Sequence, residues 1–335
     1  MNTLLRKIFL LLSFIIGTAI GDRYQQEEGF ISLFDGETLK AWEGNPKFWS
    51  VQEGAITGIT TKENPVEENT FLIWRGGVVD NFELRLKVKI AGGNSGIQYR
   101  SEDHGNWVMS GYQGDFEYGT AFSGILYHEK GRGILARRGE KTVVTNEGGK
   151  HKVSVVGSLG DTDVIQAVIK QDQWNDYKVI ARGYEFTHVI NGRVTAEVTD
   201  LDKKGRKPSG LLGLQLHAGP PMRVQFKDIR IKPLDGINIS GKWRFLVETD
   251  QGTGEPEFDL KQDGETLTGT YSGLFGTQPV KGIVKGNRFS MTVEGNYDGQ
   301  VIVSIYEGKI VGFEYMKGSV DFNEQFKATW TARKY

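Results

Sequence analysis

Residues Phe82 to Ile90 read Phe-Glu-Leu-Arg-Leu-Lys-Val-Lys-Ile, a strict alternation of apolar and charged side chains. Successive side chains of a β-strand point to opposite faces, so this run reads as an antiparallel strand with one face buried and one wet. The same logic governs the stretch that follows, Gly92 to Gly139, where short alternating segments are bounded by glycines. With 45 glycines and 11% aromatic residues, the chain fits many short strands joined by tight turns better than helices. The expected fold class is all-β.

Hairpins can be followed along the chain. Phe48 to Gly54 ends in a Glu-Gly turn with Ala55 to Gly58 as its partner, and Asn191-Gly192 closes a second hairpin after Glu185 to Ile190. Lys141 to Gly160 is polar and glycine-rich, with Lys152 to Val156 apolar enough for one strand, and reads as a long excursion over one end of the sheet. Val224 to Lys232 closes a first domain, and Pro233-Leu234-Asp235-Gly236 is its linker. Beyond Ile239 the strands shorten, with turn signals at Asp263-Gly264, Gly286-Asn287, Asp298-Gly299, Glu307-Gly308 and Lys317-Gly318. That spacing predicts a small antiparallel barrel or sandwich from Gly241-Lys242-Trp243 to Phe326–Thr331. The expected division is a signal peptide over residues 1–21, a first domain over 22–235 and a second over 236–335.

The signal assignment rests on Arg6 and Lys7, the apolar run Ile8 to Ile16 and the small residues near Gly21. The apolar run is shorter than the ~20 residues of a spanning helix, and no later segment is apolar enough to span. A secreted or periplasmic protein is expected. The absence of cysteine removes disulfides, thiolate metal sites and cysteine nucleophiles together. A formal net charge of -1 sets up no field that would draw in nucleic acid or an anionic membrane. Arg132, Arg137 and Arg138 form a local cluster, read as solvated or substrate-facing.

Three segments place polar side chains two residues apart: Gln98 with Arg100, Gln113 with Asp115 and Glu117, and Gln215 with His217. Tyr112, Tyr127 and Glu129 lie nearby in sequence. Ordinary solvated sheet faces are mostly Lys, Thr, Glu and Ser. This set differs, and Gly96, Gly111, Gly114, Gly124 and Gly213 clear space beside it for close approach by a ligand. His217 precedes the stiff Ala218-Gly219-Pro220-Pro221 segment and suits a general acid, a base or a metal ligand. Asp115 with Glu117 or Glu129 would supply a carboxylate pair for glycosidic hydrolysis. No His-Glu-x-x-His, phosphate-binding glycine loop or Gly-x-Ser-x-Gly elbow occurs, and Asp161-Thr162-Asp163 lacks the spacing of a calcium loop.

Taken together, Phe34-Asp35-Gly36 with Trp42, Gly93 to Arg100, Gly111 to Asp115, and Leu214 to Pro221 with Phe226-Lys227-Asp228-Ile229 resemble the 3-keto-disaccharide hydrolase family. The resemblance covers about Phe30 to Pro233 and implies a concanavalin-like β-sandwich of jelly-roll type. Ile239 to Tyr335 more loosely resembles a lipocalin-like barrel. The implied substrate is a glycoside already oxidised at C3 by a partner oxidoreductase. Its C2 proton is acidified by the ketone, so a base can form the enolate, the glycosidic oxygen leaves C1, and water adds to the enone. The resemblance suggests His217 or Asp115 as base and Arg100 with Gln98 as enolate stabilisers. Gln113 and Gln215 would bind hydroxyls, with Tyr112 beside them and Tyr127 or Glu129 at the leaving group. A divalent metal on Asp115, Glu129 or His217 would fit an enolate-forming step. The rivals are a lectin-like module that binds glycan without cleaving it, and a two-carboxylate glycosidase acting on unoxidised sugars.

Overall fold

The computed structural model describes residues 29–249, 252–323 and 326–335. The proposed signal segment Met1–Gly21 lies outside the described residues. Among those described, the one α-helix is Thr162–Gln166, and no helix is long and apolar enough to cross a membrane. Asp161, weighed above as a cation ligand, caps that helix by accepting from the N–H groups of Asp163 and Val164.

Two sheets face each other over residues 31–233. The larger runs in the order Lys150–Ser158, Glu140–Glu147, Arg193–Asp200, Glu185–Ile190, Asn175–Arg182, Phe82–Ala91, Met222–Pro233, Ala55–Thr60 and Trp49–Gln52, with Ile31–Ser32 beside Met222–Pro233. The smaller runs Gly133–Ala136, Leu126–Glu129, Met109–Glu117, Asn94–Asp103, Gly210–Leu216, Thr70–Val79 and Trp42–Glu43. Their shared core takes Leu84, Leu86, Val88 and Phe226 from one sheet and Leu72, Tyr99, Leu212 and Leu216 from the other. Each such side chain contributes about 1.5–3 kcal/mol by leaving water. The jelly-roll sandwich implied by the resemblance is therefore present, and Phe82–Ala91 buries every second residue as its alternation demands.

The segment after Gly139 departs from expectation. Instead of an excursion with one strand, Glu140–Glu147 and Lys150–Ser158 form a hairpin at the sheet edge, turning at Gly148 and Gly149 with φ of 59° and 87°. Lys150–Ser158 contains the strand expected over Lys152 to Val156, whereas polar composition hid its partner Glu140–Glu147. Val155 and Val156 on the outermost strand remain 61% and 62% exposed.

Eight further antiparallel strands close into a barrel where Gly241–Thr249 pairs with both Glu257–Asp263 and Phe326–Lys334, while Gly252–Gly254 adds to the side. Asp263-Gly264, Gly286-Asn287 and Asp298-Gly299 are turns, whereas Glu307-Gly308 and Lys317-Gly318 lie inside strands. Gly308 and Gly318 are register partners, and a Cβ on either would meet the Trp330 ring, at 2.5 Å and 2.7 Å. These two glycines seat an indole. The barrel joins the sandwich through Phe313, whose ring meets Trp74 edge-on at 5.0 Å.

Candidate functional site

The outer face of the seven-stranded sheet collects most of the polar residues singled out above. In register, Gln98 faces Gln113 and Gln113 faces Tyr127, while Asp115 faces Gly96 and Glu129 faces Gly111. Gly213 sits opposite Gln98 on the other side. Long side chains and glycines thus alternate across neighbouring strands, and each glycine leaves the space that a neighbour fills. A Cβ at Gly96 would run into the Gln113 amide.

The amides form a continuous relay. Ser101 Oγ donates to Gln98 Oε1 at 2.6 Å, and Gln98 Nε2 donates to Gln113 Oε1 at 2.8 Å. Gln113 Nε2 donates to Asp115 Oδ1 at 2.7 Å and to Gln215 Oε1 at 3.3 Å. Gln215 Nε2 then donates to Glu129 Oε2 at 3.4 Å, and Asn69 Nδ2 to Glu129 Oε1 at 3.1 Å. Asn69 Oδ1 accepts the Ala218 N–H at 3.0 Å, which ties the loop carrying His217 to the cluster.

Burial decides which atoms meet a ligand. Gln98 and Gln215 are fully buried, while Asp115 and Glu129 keep 6% and 7% exposure and Tyr127 is half-buried. The glutamines read as hydroxyl binders therefore hold one another and the two carboxylates, because their amides already bond within the relay. Desolvation pushes the Asp115 carboxyl up to about 8, against the lowering effect of the Gln113 and Asn94 hydrogen bonds, and the Glu129 charge raises it further. Burial, with Glu129 and Asp115 nearby, also raises the Tyr127 phenol. A carboxyl poised near neutrality beside a second carboxylate can hold or release a proton within the ordinary working range.

Two residues assigned to this face lie elsewhere. Arg100 has φ of 47°, and the register slips between Tyr99 and Glu102. This bulge turns its guanidinium away to donate to the Asp80 carbonyl at 2.7 Å, the Gly183 carbonyl at 2.5 Å and Asn81 Oδ1 at 2.9 Å, beside the Phe186 ring. Tyr112 has the parity opposite to Gln113 and points into the core, where it stacks on Tyr99 and donates to Asp200 Oδ2 at 2.6 Å. Arg132, expected to be solvated or substrate-facing, is buried against the same Asp200 at 2.6 Å. Glu117 accepts the Phe122 N–H at 2.7 Å and clasps its own loop. His217 is exposed at the rim, with Nδ1 2.6 Å from the Ala218 carbonyl.

Asn69 and Asn94 belong to the site and escaped the sequence reading. Asn94 stands in the quoted Gly93-Asn94-Ser95-Gly96 motif, whereas Asn69 carries no local signal and reaches Glu129 across 60 positions. As for a metal, Asp115 and Glu129 both accept amide N–H groups, and no group of three His, Asp or Glu among the described residues converges as a ligand set. Of Asp115, Glu129 and His217, any of which a divalent cation was expected to use, the first two share the relay while His217 stands apart at the exposed rim.

Residues 29–232 match the sequence model of the 3-keto-alpha-glucoside-1,2-lyase-like domain. The chain belongs to this family. The 3-keto-glucoside lyase-like family is one of carbohydrate-active proteins, and the matched span is the sandwich described above. A 3-keto-disaccharide hydrolase of Bacteroides thetaiotaomicron is similar to the chain at 33% identity over 84 residues, covering 23% of this chain and 29% of that protein. The match therefore spans under a third of that relative's length. Among solved structures, a glycosyl hydrolase candidate from Parabacteroides distasonis aligns at a TM-score of 0.41 and 17% identity, covering 62% of this chain and 94% of its own. A carbohydrate-binding module of Bacillus subtilis aligns at 0.38 and 13%, covering 57% of this chain and 95% of its own.

Proposed function

We propose that this member of the lyase-like family cleaves 3-keto-glycosides by elimination and hydration, with Asp115 as the proton-transfer group. The observation that carries the reading is a nearly buried carboxyl raised to about 8 whose exposed edge lies beside Glu129. In its ionised form Asp115 takes the C2 proton, and the C2–H electrons form a C2=C3 double bond as the C3 carbonyl becomes the enolate oxygen. Collapse of the enolate breaks the bond from C1 to the glycosidic oxygen, which leaves with a proton supplied by the Tyr127 phenol beside Glu129. Water then adds across C1 and C2, returning a proton to C2. Gln113 and Gln215 act as positioning residues that fix the separation and orientation of the two carboxylates. His217, at the rim, contacts the aglycone side.

The ketone has to come from a separate sugar 3-oxidoreductase, and with export directed by Met1–Gly21 both activities would work outside the cytoplasm. The deciding experiment incubates the protein with a 3-keto-glucoside and with its unoxidised parent, each with and without chelator, and follows aglycone release and deuterium uptake at C2. Release from the keto form alone, with exchange at C2 and no effect of chelator, is the expected result. Release from both sugars would point to a two-carboxylate glycosidase. Glycan binding with release from neither would point to a lectin-like role.

A further inference from the structure

The barrel carries a second feature, unrelated to the relay. Lys285 pairs with Arg288, Arg288 with Lys309 and Lys309 with Lys317, so four cationic side chains form one row across four adjacent strands. All four are exposed, and among the described residues none has an acidic partner within ion-pair distance. Like charges directly opposite one another on a sheet repel. The concentration is local, because residues 236–335 carry 11 basic and 13 acidic residues.

The row forms one wall of a groove of about 810 Å³. Its floor is the paired backbone of Gly308 and Gly318, beneath which the Trp330 ring is seated. The opposite wall is the next outward row, where Ser290 pairs with Glu307, Glu307 with Ser319, Ser319 with Thr329 and Thr329 with Glu248. One wall thus presents cations at the strand spacing of about 4.8 Å, and the other presents hydroxyls and two carboxylates.

We infer that this groove binds an extended anionic polysaccharide of the polyuronate type, lying across the strands. A pyranose ring repeats on the scale of the strand spacing, so the uronate carboxylates along one edge of the chain can meet cations of the row. The hydroxyls on the other edge of the chain can donate to Glu307 and Glu248 and exchange hydrogen bonds with the serines. A single-stranded nucleic acid or an anionic lipid surface satisfies the first wall but brings no regular row of hydroxyls to the carboxylates of the second. The inference stands apart from the proposed catalytic reading, since it uses no residue of the relay.

The test is binding of polygalacturonate by the full chain, compared with neutral dextran, a single-stranded oligonucleotide and phosphatidylglycerol vesicles, at low and high salt. Expected are salt-sensitive binding of polygalacturonate alone and a loss of about tenfold or more in affinity for Lys309→Glu with Lys317→Glu. Circular dichroism confirms that this surface variant folds, and Lys285→Gln with Arg288→Gln should weaken binding in the same direction. The inference is overturned if polygalacturonate does not bind at low salt, if both variants bind as the parent does, or if the oligonucleotide or vesicles bind as tightly as the polyuronate. Aglycone release from a small 3-keto-glucoside should be unchanged in either variant, so failure here and failure of the catalytic reading are separable.

Discussion

Asp115 and Arg100 were assigned by the same parity argument, and one backbone angle separates their fates. Parity along a strand is legible from sequence, and it places Gln98, Gln113, Asp115, Glu129 and Gln215 on one face. The left-handed φ of Arg100 follows from a bulge that no residue type announces, so its side chain crosses to the other side. Asp115→Asn should lower kcat on a 3-keto-glucoside by about 10²- to 10⁴-fold while the circular dichroism spectrum is retained. With the parent, kcat/KM should rise with pH and level off above about 8, because the base form of Asp115 grows through that value. Arg100→Ala should instead destabilise the fold by roughly 2–4 kcal/mol in urea titration, since it orphans the Asp80 and Gly183 carbonyls, and kcat of the remaining folded enzyme should hold.

Among elements, the strands with a clean inside and outside were the readable ones. Phe82–Ala91 and Gly210–Leu216 alternate because each has one face on the core. Glu140–Glu147 escaped, while of Lys150–Ser158 only Lys152 to Val156 was legible, because a polar hairpin at the sheet edge lacks that contrast, and Glu307-Gly308 misled because a glycine that makes room for a ring looks the same as one that makes a turn. The relay depends on pairings between distant strands, which no local pattern encodes. Gly318→Ala places a methyl against the Glu307 carbonyl and the Trp330 ring, and should destabilise the protein by roughly 1–3 kcal/mol, read from the shift in its thermal midpoint.

For the molecule as a whole, the raised Asp115 carboxyl couples chemistry to stability. The folded state holds this proton to about 8, whereas the unfolded chain releases it near 3.8. Between those values the native state binds more protons, so the contribution is fully present below the lower value and is lost as pH rises toward and through the upper one. Denaturation of Asp115→Asn between pH 5 and pH 9, set against the parent, should show a shallower decline with rising pH. The outermost strand, Lys150–Ser158, has a consequence of a different kind. The barrel closes on itself, but this sandwich strand ends its sheet, and a terminal strand is a template for a second copy of the chain. Lys150 and Lys152 place charge at one end, while Val155 and Val156 offer an unguarded apolar step at the other. Val155→Lys should raise the concentration at which light scattering first reports aggregates. With that result, two valines with no part in the chemistry would limit how densely this protein can be concentrated.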